Sequence, residues 1–200
     1  MNLLFEIEEA TVPNISGLRY FSDFISREEE KSLLSDIDRA MWLSDLKRRV
    51  QHYGYKYDYK ARGVDENAYL GALPVWLSSI TQRLFKDGIF AALPDQVIVN
   101  EYLPGQGISA HIDCVPCFGD TIASLSLGSP CIMEFANTAT KQKSELVLQP
   151  RSLVTLSGKS RYLWTHAIPA RKSDIIGGAR QPRQRRVSLT FRNVTLSRGQ

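Results

Sequence analysis

The chain has 200 residues, 43% of them hydrophobic, which is enough for one domain with a sizeable core. Met1 to Glu9 has no basic region and Glu6 interrupts its apolar run, so it predicts neither a signal peptide nor a membrane span, and no later stretch is long enough to cross a bilayer. A net charge of +4 is compatible with a polyanionic partner without requiring one, and three cysteines without a secretory signal predict reduced thiols in a cytoplasmic protein rather than a disulfide framework.

In chain order, Ser26-Arg27-Glu28-Glu29 reads as a capping box followed by Leu33, Leu34, Ile37 and Met41 at helical spacing, which predicts a helix from Ser26 to Ala40. A second helix is expected from Pro74, with Leu77, Ile80 and Leu84 as its buried stripe and Gly88 at its end. Between them Lys47-Arg48-Arg49 is a basic run. Tyr53, Tyr55, Tyr57 and Tyr59 recur with period two, which places four phenol rings on one face of an extended segment. Aromatic rings beside cations suit a stacked nucleobase with neutralised phosphates; the alternative is a tyrosine-rich hairpin that only covers the core. Arg49, Tyr53 and Tyr55 are the candidate substrate contacts, and His52 is read as a polar loop residue.

From Gln96 onward the chain is rich in short β-prone runs: Gln96 to Leu103, Thr121 to Leu127, Cys131 to Phe135, Glu145 to Leu148, Ser152 to Leu156, Tyr162 to Ala167 and Arg186 to Val194. Many short strands after two helices predict a mainly β fold with supporting helices, a two-sheet jelly roll. One domain over 1–200 is expected, with helices and a tyrosine-rich segment in 1–95 and the jelly-roll core in 96–195. Ile175 to Arg185, with Gly177-Gly178 and Pro182, is expected to be a mobile loop.

Two patterns inside the β region bear chemistry. His111-Ile112-Asp113 puts an imidazole and a carboxylate on one face of a strand, and His166, in a β-prone run, can join them around one metal ion. Arg186-Val187-Ser188-Leu189-Thr190-Phe191-Arg192 alternates strictly, with both arginines on the polar face, about 20 Å apart at roughly 3.3 Å per residue. Inward-leaning guanidinium forks at that separation suit a short dicarboxylate.

The order Asn100-x-Tyr102, His111-x-Asp113, His166 and Arg186-x5-Arg192 resembles the AlkB family of Fe(II)- and 2-oxoglutarate-dependent dioxygenases over most of the chain. Ser124 to Ser129, Pro150 to Leu153 and Ser160 to His166 are most similar to the AlkB-type domain of animal tRNA wobble-uridine hydroxylases, without the RNA-binding and methyltransferase domains of those proteins. The resemblance implies a double-stranded β-helix, that is, a jelly roll, with a nucleotide-recognition lid ahead of it. It implies Fe(II) on His111, Asp113 and His166, with 2-oxoglutarate on Arg186 and Arg192 and with Asn100, Tyr102 and Ser188 beside them, and O2 as second co-substrate. It further implies oxidative demethylation of alkylated nucleobases in DNA or RNA by a monomer that meets single-stranded nucleic acid or tRNA and no membrane. Hydroxylation of a tRNA wobble uridine is the alternative, and oxidation of a protein side chain or small molecule the second. Family demethylases can hold an acidic residue two places after the metal-binding Asp, where this chain has Val115. Cys114-Val115-Pro116-Cys117, a single CxxC, reads as two thiols and not as a zinc site.

Overall fold

The structure, a computed structural model, describes residues 12–44 and 46–196; the N-terminal run Met1 to Glu9 lies outside them. The chain opens with β1 (Leu18–Phe21), α1 (Arg27–Arg39) and β2 (Val50–Tyr53), and a 3-10 turn then leads into α2 (Ser78–Lys86). Next come β3 (Gln96–Tyr102), β4 (Ile108–His111), β5 (Ile122–Gly128), β6 (Cys131–Asn137), β7 (Lys143–Leu148) and β8 (Leu153–Leu156). A short helix α3 (Gly158–Tyr162) precedes β9 (Trp164–Ile168), β10 (Ser173–Ile176), β11 (Ala179–Pro182) and β12 (Arg186–Arg192). Among the described residues no helix is long and apolar enough to cross a membrane.

The strands form a six-stranded sheet in the order β1-β8-β5-β12-β3-β2 and a four-stranded sheet in the order β4-β9-β6-β7, both antiparallel. The larger sheet is covered on both sides. Val97, Val99, Val187, Leu189 and Phe191 join Leu33, Ile37, Leu77, Ile80 and Leu84 of the helical region in one cluster. Ile122, Val154 and Leu156 belong to a second cluster with Met133, Phe135 and Ile168 of the smaller sheet. This is the expected jelly roll with helical support.

Local chemistry explains the helices. The Ser26 hydroxyl accepts from the Glu29 amide and the Glu29 carboxylate accepts from the Ser26 amide, so the capping box closes α1 at both groups. Pro74 precedes the 3-10 turn Val75–Leu77 instead of starting a regular helix, and Gly88, with φ of 66°, follows α2 in the left-handed region.

Three local expectations are corrected. Tyr162, placed at the start of a strand, ends α3, because Ser157 caps that turn and its amide donates to the Ser160 hydroxyl. The segment expected to be a loop contains the β10–β11 hairpin, turned by Gly177 and Gly178 at φ of 57° and 74° and anchored by buried Asp174, which accepts from Arg171 and Arg183. Cys114 and Cys117 form a disulfide rather than two thiols: a turn brings their Cα atoms to 5.3 Å, inside the range a disulfide spans.

Candidate active site

The polar face of β12 looks into the space between the two sheets, not into solvent. Arg186, Ser188 and Arg192 are all buried, and pairing of β12 with β3 sets Arg186 opposite Tyr102, Ser188 opposite Asn100 and Arg192 opposite Gln96. Paired residues share a face, so β3 and β12 together line one side of a chamber of about 840 Å³. On the other side β4 and β9 pair with His111 directly opposite His166. Asp113 follows β4, and ligand atoms of His111, Asp113 and His166 all lie within 4.8 Å of one another.

Each member of the trio is held in a ligand-ready state. His111 Nδ1 lies 2.8 Å from the Ser109 carbonyl, a contact that calls for the proton on Nδ1, so Nε2 is the nitrogen left for a metal. Burial pushes the His166 imidazole down to about 4, so it is neutral at pH 7. Burial alone would raise the Asp113 carboxyl, but the Arg192 guanidinium and then the two imidazoles outweigh it and hold the group well below the usual carboxylate range. Arg192 Nη2 donates to Asp113 Oδ1 at 2.9 Å while its Nη1 donates to Gln96 Oε1 at 3.2 Å.

Several buried polar atoms remain without a hydrogen-bond partner: Asp113 Oδ2, His166 Nδ1, Arg186 Nε and Nη1, and Arg192 Nε. A buried charge left unpaired costs several kcal/mol, on the order of the whole effect of a severe mutation. Unpaired acceptors and guanidinium donors clustered in one chamber fit a cation on the His/Asp side and an acid on the arginine side. Arg186 Nη2 donates to Ser126 Oγ at 2.9 Å and its guanidinium lies 5.3 Å from the Tyr102 ring centre, which orients the fork without satisfying it.

At the entrance the structure brings Arg48, Tyr57, Tyr59 and Arg62 to the chamber, whereas Arg49, Tyr53 and Tyr55 stand outside it. Parity explains the arginines. Val50 pairs with Asn100, so side chains at 48 and 50 share the inner face; Arg49 falls on the outer one and grips Glu101 with Nε–Oε2 at 2.6 Å. The tyrosines do not share a face because β2 ends at Tyr53 and Gly54, at φ of 76°, redirects the chain; a Cβ there would overlap the Asp95 carbonyl. Tyr53 packs edge-on against Trp76 and Tyr55 packs tilted against Tyr69, with ring centres 5.4 and 5.0 Å apart. Arg48 Nε donates to Asn100 Oδ1 at 2.8 Å, tying the entrance to the arginine side. His52, expected in a loop, lies in β2 opposite Ile98, and its Nδ1 accepts from the Tyr57 amide at 3.3 Å; the sulfurs of Cys114 and Cys117 lie 3.4 and 3.7 Å from the Arg62 carbonyl.

Comparison with known proteins fits this geometry. Residues 36–192 match the family model for the 2OG-Fe(II) oxygenase superfamily. An Arabidopsis thaliana protein named "Alkylated DNA repair protein ALKBH8 homolog" is 43% identical, covering 90% of this chain and 59% of its own. A mouse protein named "tRNA (carboxymethyluridine(34)-5-O)-methyltransferase ALKBH8" is 40% identical over 91% of this chain and 28% of its own, so the chain spans only part of these relatives. The solved structure of OsALKBH1 superposes with a TM-score of 0.68 at 17% identity, over 92% of this chain and 100% of that one, which shows the shared fold. The family works with Fe(II), 2-oxoglutarate and O2, the chemistry for which the His-Asp-His cluster is suited. The chain belongs to the 2OG-Fe(II) oxygenase superfamily and, within it, to the AlkB family of dioxygenases.

Proposed function

We propose that this dioxygenase oxidises a substituent of a neutral or anionic nucleobase in RNA and leaves the hydroxyl in place. In this reading His111, Asp113 and His166 hold the iron, and Arg186 and Arg192, with Asn100, Tyr102 and Ser188, seat 2-oxoglutarate. The observation that carries it is the charge of the chamber. Among the described lining residues Asp113 is the only acid, and Arg192 already engages it, while Lys47, Arg48 and Arg62 line the same chamber. Bases methylated on the Watson–Crick edge, such as 1-methyladenine and 3-methylcytosine, carry a positive charge. They would meet these cations with no free carboxylate to offset them. Val115, where family demethylases hold an acid, is half exposed. The names of relatives support nucleic acid as the substrate class, tRNA in the mouse case.

Bound Fe(II), 2-oxoglutarate and O2 supply an oxidant that hydroxylates a C–H bond as 2-oxoglutarate becomes succinate and CO2. The chain supplies placement. Ser109 fixes the His111 tautomer, burial keeps His166 neutral and Arg192 keeps Asp113 ionised. Tyr57, Tyr59 and Phe118 give the chamber aromatic surfaces on which a base can stack, and Lys47, Arg48 and Arg62 offer charge to phosphates. A paired base has to leave its stack to enter.

The test is a panel of RNA oligonucleotides of one sequence containing 1-methyladenine, 3-methylcytosine or a 5-substituted uridine. The uridine is expected to gain one oxygen without formaldehyde, at least about tenfold faster than either cationic base reacts, the factor that 1.4 kcal/mol of charge discrimination gives. Formaldehyde release from the cationic bases at an equal or greater rate would overturn the proposal.

A further inference from the structure

The loop from Asp113 to Gly119 is gripped from behind by one side chain. Arg161, in α3, is 2% exposed and among the largest fully buried side chains. Its Nη1 donates to the Asp113 carbonyl at 2.8 Å, its Nη2 to the Cys114 carbonyl at 3.2 Å and its Nε to the Gly119 carbonyl at 3.5 Å. The guanidinium also stacks near the Tyr162 ring, 5.1 Å from its centre, and the Tyr162 hydroxyl donates to Asp120. These partners are carbonyls, so Arg161 brings a full charge into the interior for backbone contacts. An apolar side chain would fill the space with less desolvation, but would take the donor away from the Asp113 carbonyl, while the Cys114 carbonyl would keep only the Phe118 amide, and would leave the loop freer to shift.

Two arginines therefore hold Asp113 from different directions. Arg192 takes the side chain at Oδ1, which also lies 4.0 Å from His111 Nε2, Arg161 takes the backbone carbonyl, and Oδ2 is left without a hydrogen-bond partner. Arg161 also sits in the short segment that runs directly into β9 and His166, so one piece of chain both bears one imidazole and fixes the carboxylate beside it.

We infer that Arg161 is a positioning residue for the metal carboxylate: its fork sets the backbone of Asp113 and Cys114 and thereby the place of the Asp113 carboxylate beside His111 and His166. The inference rests on the assignment of the metal to that trio. A planar fork can span two adjacent carbonyls, whereas a lysine ammonium is a point donor on a flexible stem.

The measurement is Co(II) affinity of the purified chain, read by absorbance titration, for wild type, Arg161→Met, Arg161→Lys, Asp113→Ala and Leu33→Ala. Leu33→Ala is a control that destabilises the core on α1, away from the chamber. Arg161→Met is expected to weaken Co(II) binding about 10- to 100-fold, the cost typical of losing an outer partner of a metal ligand. Arg161→Lys should fall between it and wild type, and Leu33→Ala should bind like wild type. If Arg161→Met does not fold, Arg161→Lys decides. Folded Arg161 variants with wild-type affinity would overturn the inference, as would an equal loss in Leu33→Ala, which would make the role one of general stability. Wild type that binds no Co(II), or Asp113→Ala that binds as tightly as wild type, would instead remove the metal assignment, and the inference with it.

Discussion

Arg186 shows how a single residue reports function through its cost. It is 3% exposed, has one hydrogen-bonded nitrogen and leaves Nε and Nη1 unpaired. Replacing a buried, underpaired charge by an apolar side chain of similar length is neutral or stabilising, so Arg186→Met should melt no lower than wild type while its 2-oxoglutarate requirement rises more than about 100-fold, the factor of roughly 3 kcal/mol for a charge-assisted pair. Thermal melts beside initial rates check both halves, and an unchanged requirement would remove Arg186 from the co-substrate seat. His166 makes a second prediction. Its folded value of about 4 lies below its ordinary 6.5, so the unfolded chain binds the proton first as pH falls. Metal-free protein should therefore lose stability between pH 6.5 and pH 4, by up to about 3 kcal/mol at roughly 1.4 kcal/mol per pH unit. Urea unfolding across that window checks it, and His166→Asn should flatten the slope; equal slopes in both proteins would contradict the buried neutral imidazole. Arg48 and Arg49 separate in the same way. Arg49→Ala should cost about 1 to 2 kcal/mol, since it removes one of two arginines that pair with buried Glu101 and leaves Arg185 in place, and should spare RNA turnover, whereas Arg48→Ala should lower RNA turnover with little change in melting temperature.

At the scale of elements, what was legible in the sequence is what local chemistry dictates. The Ser26 capping box fixes α1, and the alternation of Val187, Leu189 and Phe191 with Arg186, Ser188 and Arg192 fixes β12. The metal trio was legible for a related reason: parity aligns His111 with Asp113, and few histidines were left to complete the set. What was not legible depends on pairing between distant segments. Period two placed four tyrosines on one face, but the pairing of Val50 with Asn100 sets the parity of β2 and Gly54 then breaks it, so Arg48, Tyr57 and Tyr59 reach the chamber in place of Arg49, Tyr53 and Tyr55. Arg161 falls in the Ser160 to His166 run that carries the resemblance, but nothing in that run showed its side chain to be buried, since arginine is ordinarily exposed. The β10–β11 hairpin was hidden because Asp174 is anchored by Arg183, beyond the turn. Gly54 supplies a prediction at this scale. Its φ of 76° and its closeness to the Asp95 carbonyl leave no room for a Cβ. Gly54→Ala should weaken RNA binding about tenfold or more while Co(II) affinity stays at the wild-type value. Equal RNA affinity by filter binding would mean that the 54–64 segment does not position the entrance.

Across the whole molecule, the same antiparallel sheet does two jobs. Its outer face packs on the helices through Val97, Val99, Leu189 and Phe191, and its inner face is free to be polar because the smaller sheet covers it. A polar lining walled off from solvent is costly to the empty protein and useful to the loaded one, since charges placed there act through a low dielectric. The helices thus support a sheet whose unusual face lines the chamber, and Lys47, Arg48 and Arg62 make the entrance cationic. The most direct test incubates the protein with Fe(II), 2-oxoglutarate, O2 and tRNA from cells lacking this gene, and measures succinate and nucleoside masses in the same reaction. The account predicts one succinate for each oxygen gained by a uridine, and neither product from Asp113→Ala. RNA left unchanged, or succinate formed as fast by Asp113→Ala as by wild type, would contradict it.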